Sequence, residues 1–168
     1  MDDIQVRDVL SKVPIFAEVL DDDLVRTLAA KSRAAVFPQG ATMMSEGDFG
    51  ATMFAIAKGQ VAVTVAGRRG DDRDVAHVGA GGIVGEMSLM TGMRRNATVT
   101  ALTEVSAIEI PKVAFEDVLA QAPELIDSLG EVLARRQAER DRVAHDADAG
   151  SGIAEQIRSF FPAIFGAR

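Results

Sequence analysis

The chain has 168 residues, of which 48% are hydrophobic and 26% charged, and these values are typical of a single folded domain. Its formal net charge is −7, which argues against nucleic acids as partners, because they bind to cationic surfaces. The lack of cysteine excludes disulfides, thiol catalysis and cysteine-bound metals. No apolar run reaches the ~18 residues of a membrane span and no basic signal-peptide start is present, so we expect a cytoplasmic location.

The first 32 residues have the spacing of short helices. Apolar side chains recur at helical spacing over residues 4–10, and Pro14 interrupts this pattern, so that residues 15 and 16 are predicted to form an apolar plug. The aspartates at 21–23 then suit a helix N-terminus, where partial positive charge favours carboxylates. A metal site built from these aspartates is the less favoured alternative.

Short apolar segments separated by turn residues follow from Ala34 to Ile110. In the clearest of them, Val61, Val63 and Val65 alternate with small residues, as in a half-buried strand. Strands that recur at about 8–12 residue spacing favour an antiparallel sandwich or barrel over a parallel sheet.

A glycine-rich segment, Gly79–Ala101, interrupts these strands with a different pattern. Four glycines in seven residues precede Glu86 and a short apolar run, and then Arg94 and Arg95 precede a returning strand. A helix start attracts anions, and an arginine brought back over it would complete a pocket for one phosphate. The alternative is a glycine-rich hairpin with a solvated arginine pair.

Beyond Pro111 the chain is predicted to be helical. A short helix covers residues 113–120, and Pro123 suits the first position of a longer helix. The longer helix carries an apolar stripe and then becomes polar toward His145. The stripe consists of Ile126, Leu129, Val132 and Leu133.

The last residues, 149–168, predict a separate apolar tail helix. Its apolar face could dock on this domain, on a second copy of the chain or on a membrane surface. Packing against protein is favoured, because Arg158 is the only cation within the apolar segment 153–165. Homo-oligomer formation through the C-terminal helices is therefore one expectation.

Catalytic and metal-binding patterns are not found. His77 and His145 are the only histidines and lie far apart in the sequence, and Ser88 lacks the context of a nucleophile. We therefore predict no enzyme, no catalytic residues and no metal site. A cupin-like enzyme is the remaining enzymatic alternative.

Taken in order, these segments resemble the cyclic-nucleotide-binding domain shared by bacterial catabolite activators, protein kinase A regulatory subunits and cyclic-nucleotide-gated channels. The resemblance runs from VPIF at residues 13–16 to the long helix ending near His145. It includes FPQGATMMSEGD at 37–48, the hairpin from Phe54 to Val65, and GEMSLMTGMRRNATV at 85–99, which is similar to the phosphate-binding cassette.

The resemblance implies an α+β fold in which an eight-stranded antiparallel β-roll or jelly roll is flanked by N-terminal helices and a C-terminal helical arm. It implies a cyclic nucleotide as ligand, with cAMP favoured and cGMP possible, and no cofactor. The expected organisation is a helical segment (1–32), the β-roll (33–111) with its cassette (79–101), hinge and lid helices (112–148) and the tail (149–168).

The resemblance also assigns roles within the cassette. Glu86 is similar to the glutamate that accepts a hydrogen bond from the ribose 2′-hydroxyl, and Arg95 to the arginine that pairs with the cyclic phosphate. An arginine of the lid helix, most simply Arg135, would contact the purine, or else it is a solvent-facing charge. The candidate ligand-binding residues are Val84, Gly85, Glu86, Met87, Ser88, Arg95, Asn96, Ala97 and Arg135.

This chain departs from the family pattern at four cassette positions. Gly82 stands where Asp is frequent, Val84 where Phe is usual, and Arg94 where Pro precedes the cassette arginine. We expect Arg94 to contact solvent or an acidic neighbour. Asn96 is neither the threonine frequent in cGMP-preferring channels nor the alanine or serine frequent in cAMP binders.

The expected output is regulation of another protein. About twenty residues follow His145, too few for the winged helix-turn-helix of the transcription factors in this family, so no DNA binding is expected. The Ala-, Arg- and Glu-rich helix and the tail resemble bacterial channels that join a small-conductance mechanosensitive-type pore to this domain. We therefore expect ligand binding to move the C-terminal arm and gate an attached channel pore. A free-standing sensor that acts through a protein partner is the alternative.

Overall fold

A computed structural model of the protein describes residues 1–66 and 72–141, in which eight antiparallel strands form two sheets flanked by N-terminal and C-terminal helices. The predicted α+β fold is confirmed. The helices are α1 (Asp3–Ser11), α2 (Pro14–Val19), α3 (Asp22–Ala30), α4 (Glu86–Thr91), α5 (Lys112–Gln121) and α6 (Leu125–Asp141). The strands are β1 (Arg33–Phe37), β2 (Thr42–Met44), β3 (Thr52–Lys58), β4 (Val61–Ala66), β5 (Asp72–Val78), β6 (Ile83–Val84), β7 (Thr98–Ala101) and β8 (Val105–Pro111).

Aspartate side chains cap the first and third helices. Asp21 Oδ1 accepts a hydrogen bond from the Leu24 amide at 2.8 Å, which satisfies a donor that the helix itself leaves unpaired. The prediction that the aspartates begin a helix is thus confirmed. The predicted apolar residues after Pro14, Ile15 and Phe16, are buried in the helical core. They lie in a helix that was not predicted, residues 14–19, with Pro14 at its first position, where the missing N–H costs nothing.

Two four-stranded sheets stack face to face, in the orders β1-β8-β3-β6 and β2-β7-β4-β5. The first sheet is covered on both faces, and strand β3 shows this most clearly. Met53 and Ala55 pack into the helical core, whereas Phe54 and Ile56 pack against the second sheet. Successive residues point to opposite faces of a strand, so β3 is apolar throughout instead of alternating.

The helical core joins the N-terminal helices to α5 and α6. The rings of Phe16 and Phe115 lie 6.0 Å apart and are almost completely buried. Helix α6 begins at Leu125, because Pro123 lies in a turn before it. Its predicted apolar stripe is buried in the same core. The predicted tail (149–168) and the helix around His145 lie outside the described residues.

Candidate functional site

The second half of the glycine-rich segment is compact. Gly85 has a φ of +84° and lies between strand β6 and helix α4. This left-handed conformation favours glycine and turns the chain sharply, so that Glu86 becomes the first residue of α4. Because α4 has only six residues, its dipole is small, and the site also contains the charged side chain of an arginine.

That arginine is Arg95, and its side chain is buried between α4 and the start of β3. Only 7% of the residue is exposed. Its Nη1 donates hydrogen bonds to the Thr52 carbonyl oxygen at 2.7 Å, to Ser88 Oγ at 2.6 Å and, more weakly, to the Gly85 carbonyl oxygen at 3.3 Å. Its Nη2 donates to Thr52 Oγ1 at 3.0 Å. Four oxygens from three residues therefore hold one guanidinium group.

Burial and a neighbouring carboxylate act on this guanidinium in opposite directions. Burial lowers the pKa of Arg95 below its ordinary value, whereas the negative charge of Glu86 raises it. Glu86 is itself buried, with 2% of its surface exposed. Arginine remains protonated at any physiological pH, so the site keeps its cation throughout the neutral range.

Two glycines allow the backbone to approach the guanidinium closely. A Cβ at Gly85 would lie 2.8 Å from Arg95 Nη1 and 2.8 Å from Met44 Cε. A Cβ at Gly50 would lie 2.6 Å from Arg95 Cζ and would overlap Nε and Nη2. Any side chain at either position would displace Arg95, so both glycines are required by packing.

Backbone hydrogen bonds tie Arg95 to the loop between β2 and β3. The Gly47 amide donates to the Arg95 carbonyl oxygen, and the Arg95 amide donates to the Asp48 carbonyl oxygen, both at 2.8 Å. The neighbouring Arg94 points elsewhere. Its guanidinium carbon lies 4.3 Å from the centre of the Phe49 ring, and its Nη1 donates to the Gly47 carbonyl oxygen at 3.2 Å. Arg94 is thus exposed to solvent, one of its two predicted environments, and it contacts an aromatic face instead of an acidic neighbour.

The other cassette residues lie around Arg95 in different environments. Val84 is buried opposite Phe54 in the sheet, and Ala97 is buried in the core between the two sheets. Met87 is half-buried against the helical core, and Asn96 is exposed. The structure therefore groups the cassette residues predicted from the sequence, while their contacts with a ligand stay a prediction.

Arg135 is engaged elsewhere in this conformation. Its Nη2 donates to Glu18 Oε1 of α2 at 2.9 Å, and both side chains are about half exposed. Arg135 takes no part in the hydrogen bonds described for Arg95. Its predicted role at the purine therefore requires α6 to move.

Two residues beside Arg95 were not predicted from the sequence, Gly50 and Thr52. Each lies more than forty positions before Arg95 and belongs to a segment that indicates an ordinary turn followed by a strand. Only the pairing of the loop with the cassette brings them to the guanidinium. No local signal in the sequence marks either residue.

Other kinds of site find no support in the part of the chain that the structure describes. Across residues 1–66 and 72–141, no group of three or more histidines and carboxylates could hold a metal ion. Among the helices described in that range, none combines the length and the apolar character needed to cross a bilayer.

The family model of the cyclic nucleotide-binding domain matches residues 35–122, just over half of the chain. The chain belongs to this family. A cyclic nucleotide-gated potassium channel of Rhizobium etli is 32% identical over 77% of this chain and 34% of the channel. A CRP-like cAMP-activated global transcriptional regulator of Mycobacterium tuberculosis is 28% identical over 77% of this chain and 57% of the regulator. A solved cyclic nucleotide-binding domain from Methylobacillus flagellatus has a TM-score of 0.70 at 27% identity, covering 84% of this chain and 83% of that one.

Family membership establishes the general activity. The protein is a cyclic nucleotide-binding regulatory domain, its ligand is cAMP or cGMP, it uses no cofactor, and its family is not catalytic. These points confirm the predictions of the ligand class and of a non-enzymatic protein. The chain spans less than two thirds of the length of the Rhizobium etli channel and of the Mycobacterium tuberculosis regulator. These two relatives have different outputs, since one is a potassium channel and the other a transcriptional regulator.

The contact between Gly85 and Arg95 can be tested with a matched glycine. Gly40 has a φ of +87° and no atom within 4 Å of its Cβ position. Gly85 has a similar φ of +84°, but a Cβ there would meet atoms of Arg95 and Met44. We expect Gly40→Ala to lower the free energy of unfolding by about 1–2 kcal/mol, the cost of a left-handed alanine. Gly85→Ala should lower it by more, because it also collides with Arg95. Equal losses in urea denaturation would contradict the steric role of Gly85.

Proposed function

We propose that this domain binds cAMP in preference to cGMP and that binding moves its C-terminal arm, α5 and α6, to gate an attached ion channel. The observation that carries the binding site is the buried guanidinium of Arg95, held beside the buried Glu86. A cation suits the phosphate of a cyclic nucleotide, and a carboxylate that only accepts hydrogen bonds suits a ribose hydroxyl.

The preference for cAMP rests on the similarity to the cAMP-activated regulator of Mycobacterium tuberculosis. Asn96 is exposed beside Arg95, and its amide both donates and accepts hydrogen bonds. It is neither the threonine frequent in cGMP-preferring channels nor the alanine or serine frequent in cAMP binders. In the proposed complex, Gly85, Met87, Ser88 and Ala97 line the sugar and phosphate and Val84 supports them, with Glu86 and Arg95 making the charged contacts.

A route from the site to the arm runs through strand β3. Thr52, which accepts two hydrogen bonds from Arg95, pairs with Pro111 at the end of β8. The carbonyl oxygen of its neighbour Ala51 accepts a hydrogen bond from the amide of Lys112, the first residue of α5. The arm therefore begins at Lys112, whose hydrogen-bond partner Ala51 directly precedes Thr52.

In the described structure, an exposed ion pair connects α6 to α2. Arg135 and Glu18 form an exposed ion pair, and such pairs contribute about 0–1 kcal/mol. A ligand shifts an equilibrium only by binding one state better than the other. In the nucleotide-bound state, Arg135 exchanges Glu18 for the purine, which gives that state the additional contact the shift requires.

The channel output rests on the similarity to the Rhizobium etli channel and on the resemblance of the C-terminal segment to mechanosensitive-type channels. In this proposal the domain lies on the cytoplasmic side of the membrane. The second candidate is a free-standing cyclic-nucleotide sensor that acts through a protein partner. It would have the same ligand site and the same moving arm.

Calorimetry with cAMP and cGMP tests the binding site. We expect Arg95→Ala to weaken cAMP by about 2–4 kcal/mol, roughly 30- to 1,000-fold, because it removes a buried charge-assisted contact. Arg94→Ala makes the same change in charge one residue away and should leave the affinity within about threefold, because Arg94 faces Phe49. Millimolar or absent binding of both nucleotides to the wild type would rule out the proposal.

Movement of the arm can be measured with two spin labels. The chain has no cysteine, so cysteines introduced at Val36 of β1 and Glu131 of α6, both exposed, would be the only labelling sites. Saturating cAMP should change the distance distribution between the labels, and the same labels in an Arg95→Ala background should respond only at much higher cAMP. An unchanged distribution in a labelled protein that binds cAMP would contradict the moving arm.

A further inference from the structure

Thr52 contacts Arg95 with two oxygens at once. Its backbone carbonyl oxygen lies 2.7 Å from Nη1 and its hydroxyl Oγ1 lies 3.0 Å from Nη2. These two nitrogens form one edge of the planar guanidinium, so a single residue fixes both ends of that edge. A planar group held at two points on one edge is restricted in its rotation about the Cδ–Nε bond, which sets the orientation of the guanidinium plane.

The hydrogen bonds of Arg95 leave one edge of its guanidinium without a partner among the described residues. A guanidinium has five N–H groups, two on each Nη and one on Nε. Thr52 and Ser88 occupy both hydrogens of Nη1, and Thr52 occupies one of Nη2. Among the hydrogen bonds of the residues that the structure describes, none uses Nε–H or the second hydrogen of Nη2. These two donors share the Nε–Nη2 edge and point in parallel.

The unused edge belongs to the buried side chain of Arg95. Arg95 is 7% exposed, and a buried N–H without an acceptor costs free energy. Gly50 borders the same edge, since a Cβ there would overlap both Nε and Nη2. The chain therefore keeps the only side-chain-free residue type next to two parallel donors for which residues 1–66 and 72–141 show no acceptor.

We propose that Thr52 is a positioning residue of the phosphate site, which holds the Nη1–Nη2 edge of Arg95 so that the Nε–Nη2 edge is directed at the anion. Two parallel N–H groups match the oxygens of a phosphate, and pairing of this kind depends on orientation as well as charge. Thr52 acts through Arg95 and makes no contact with the ligand itself. This inference rests on the proposed binding of a cyclic nucleotide at Arg95.

Replacement of Thr52 by valine removes the hydroxyl while it keeps the shape and the β-branched side chain. We expect Thr52→Val to weaken cAMP about tenfold, since it releases Nη2 and part of the orientation of Arg95. Thr52→Ser keeps the hydroxyl and should restore the affinity to within about threefold of the wild type. If the valine variant does not fold, Thr52→Ala provides the same comparison.

A double-mutant cycle separates positioning from a merely structural role. In an Arg95→Lys background no guanidinium remains to be oriented, so Thr52→Val should have no further effect on the cAMP affinity measured by calorimetry. An equal loss in both backgrounds would overturn the inference, because it would show that Thr52 acts on the fold. Wild-type affinity in the single Thr52→Val variant would also overturn it and would leave the proposed function intact. A wild type that binds neither cAMP nor cGMP would refute both.

Discussion

A buried positive charge is costly, and the rest of the site is arranged around this constraint. Arg95 loses nearly all contact with water, and its guanidinium is compensated by oxygens of Thr52, Ser88 and Gly85 and by the charge of Glu86. The compensation is incomplete, because the described hydrogen bonds use only part of its donors. An anion bound at the remaining edge would complete it, which explains why a cyclic phosphate is a suitable ligand.

The fold meets this constraint by placing three distant segments against one another. Strand β3 lies between β8 and β6 and is covered on both faces. Its first residue, Thr52, is thereby held beside the side chain of Arg95. The β2–β3 loop pairs with the backbone of Arg95, and α4 starts at the turn of Gly85. The same end of β3 adjoins the beginning of α5. The candidate site and the helices α5 and α6 therefore share one structural support.

Local signals in the sequence predicted most of the elements, because caps, apolar alternation and turn residues act over a few positions. The capped start of α3, the alternating valines of β4 and the buried stripe of α6 belong to this group. The prediction was incomplete where one residue has two uses, as at Pro14, which follows the end of α1 and also begins α2. The two-residue strand β6 within the glycine run gave no signal. Contacts across long separations, such as Arg95 with Thr52 and Arg135 with Glu18, depend on tertiary packing and could not be read from local patterns.

In our proposal, Thr52 orients Arg95, and Arg95 binds the phosphate through its Nε–Nη2 edge. A crystal structure of the domain with cAMP would test both parts of this proposal. We predict phosphate oxygens at about 3 Å from Nε and Nη2 of Arg95, with the hydrogen bonds from Arg95 to the carbonyl oxygen and Oγ1 of Thr52 retained. A phosphate bound away from Arg95, or an Arg95 side chain that leaves Thr52 to reach the ligand, would contradict the account.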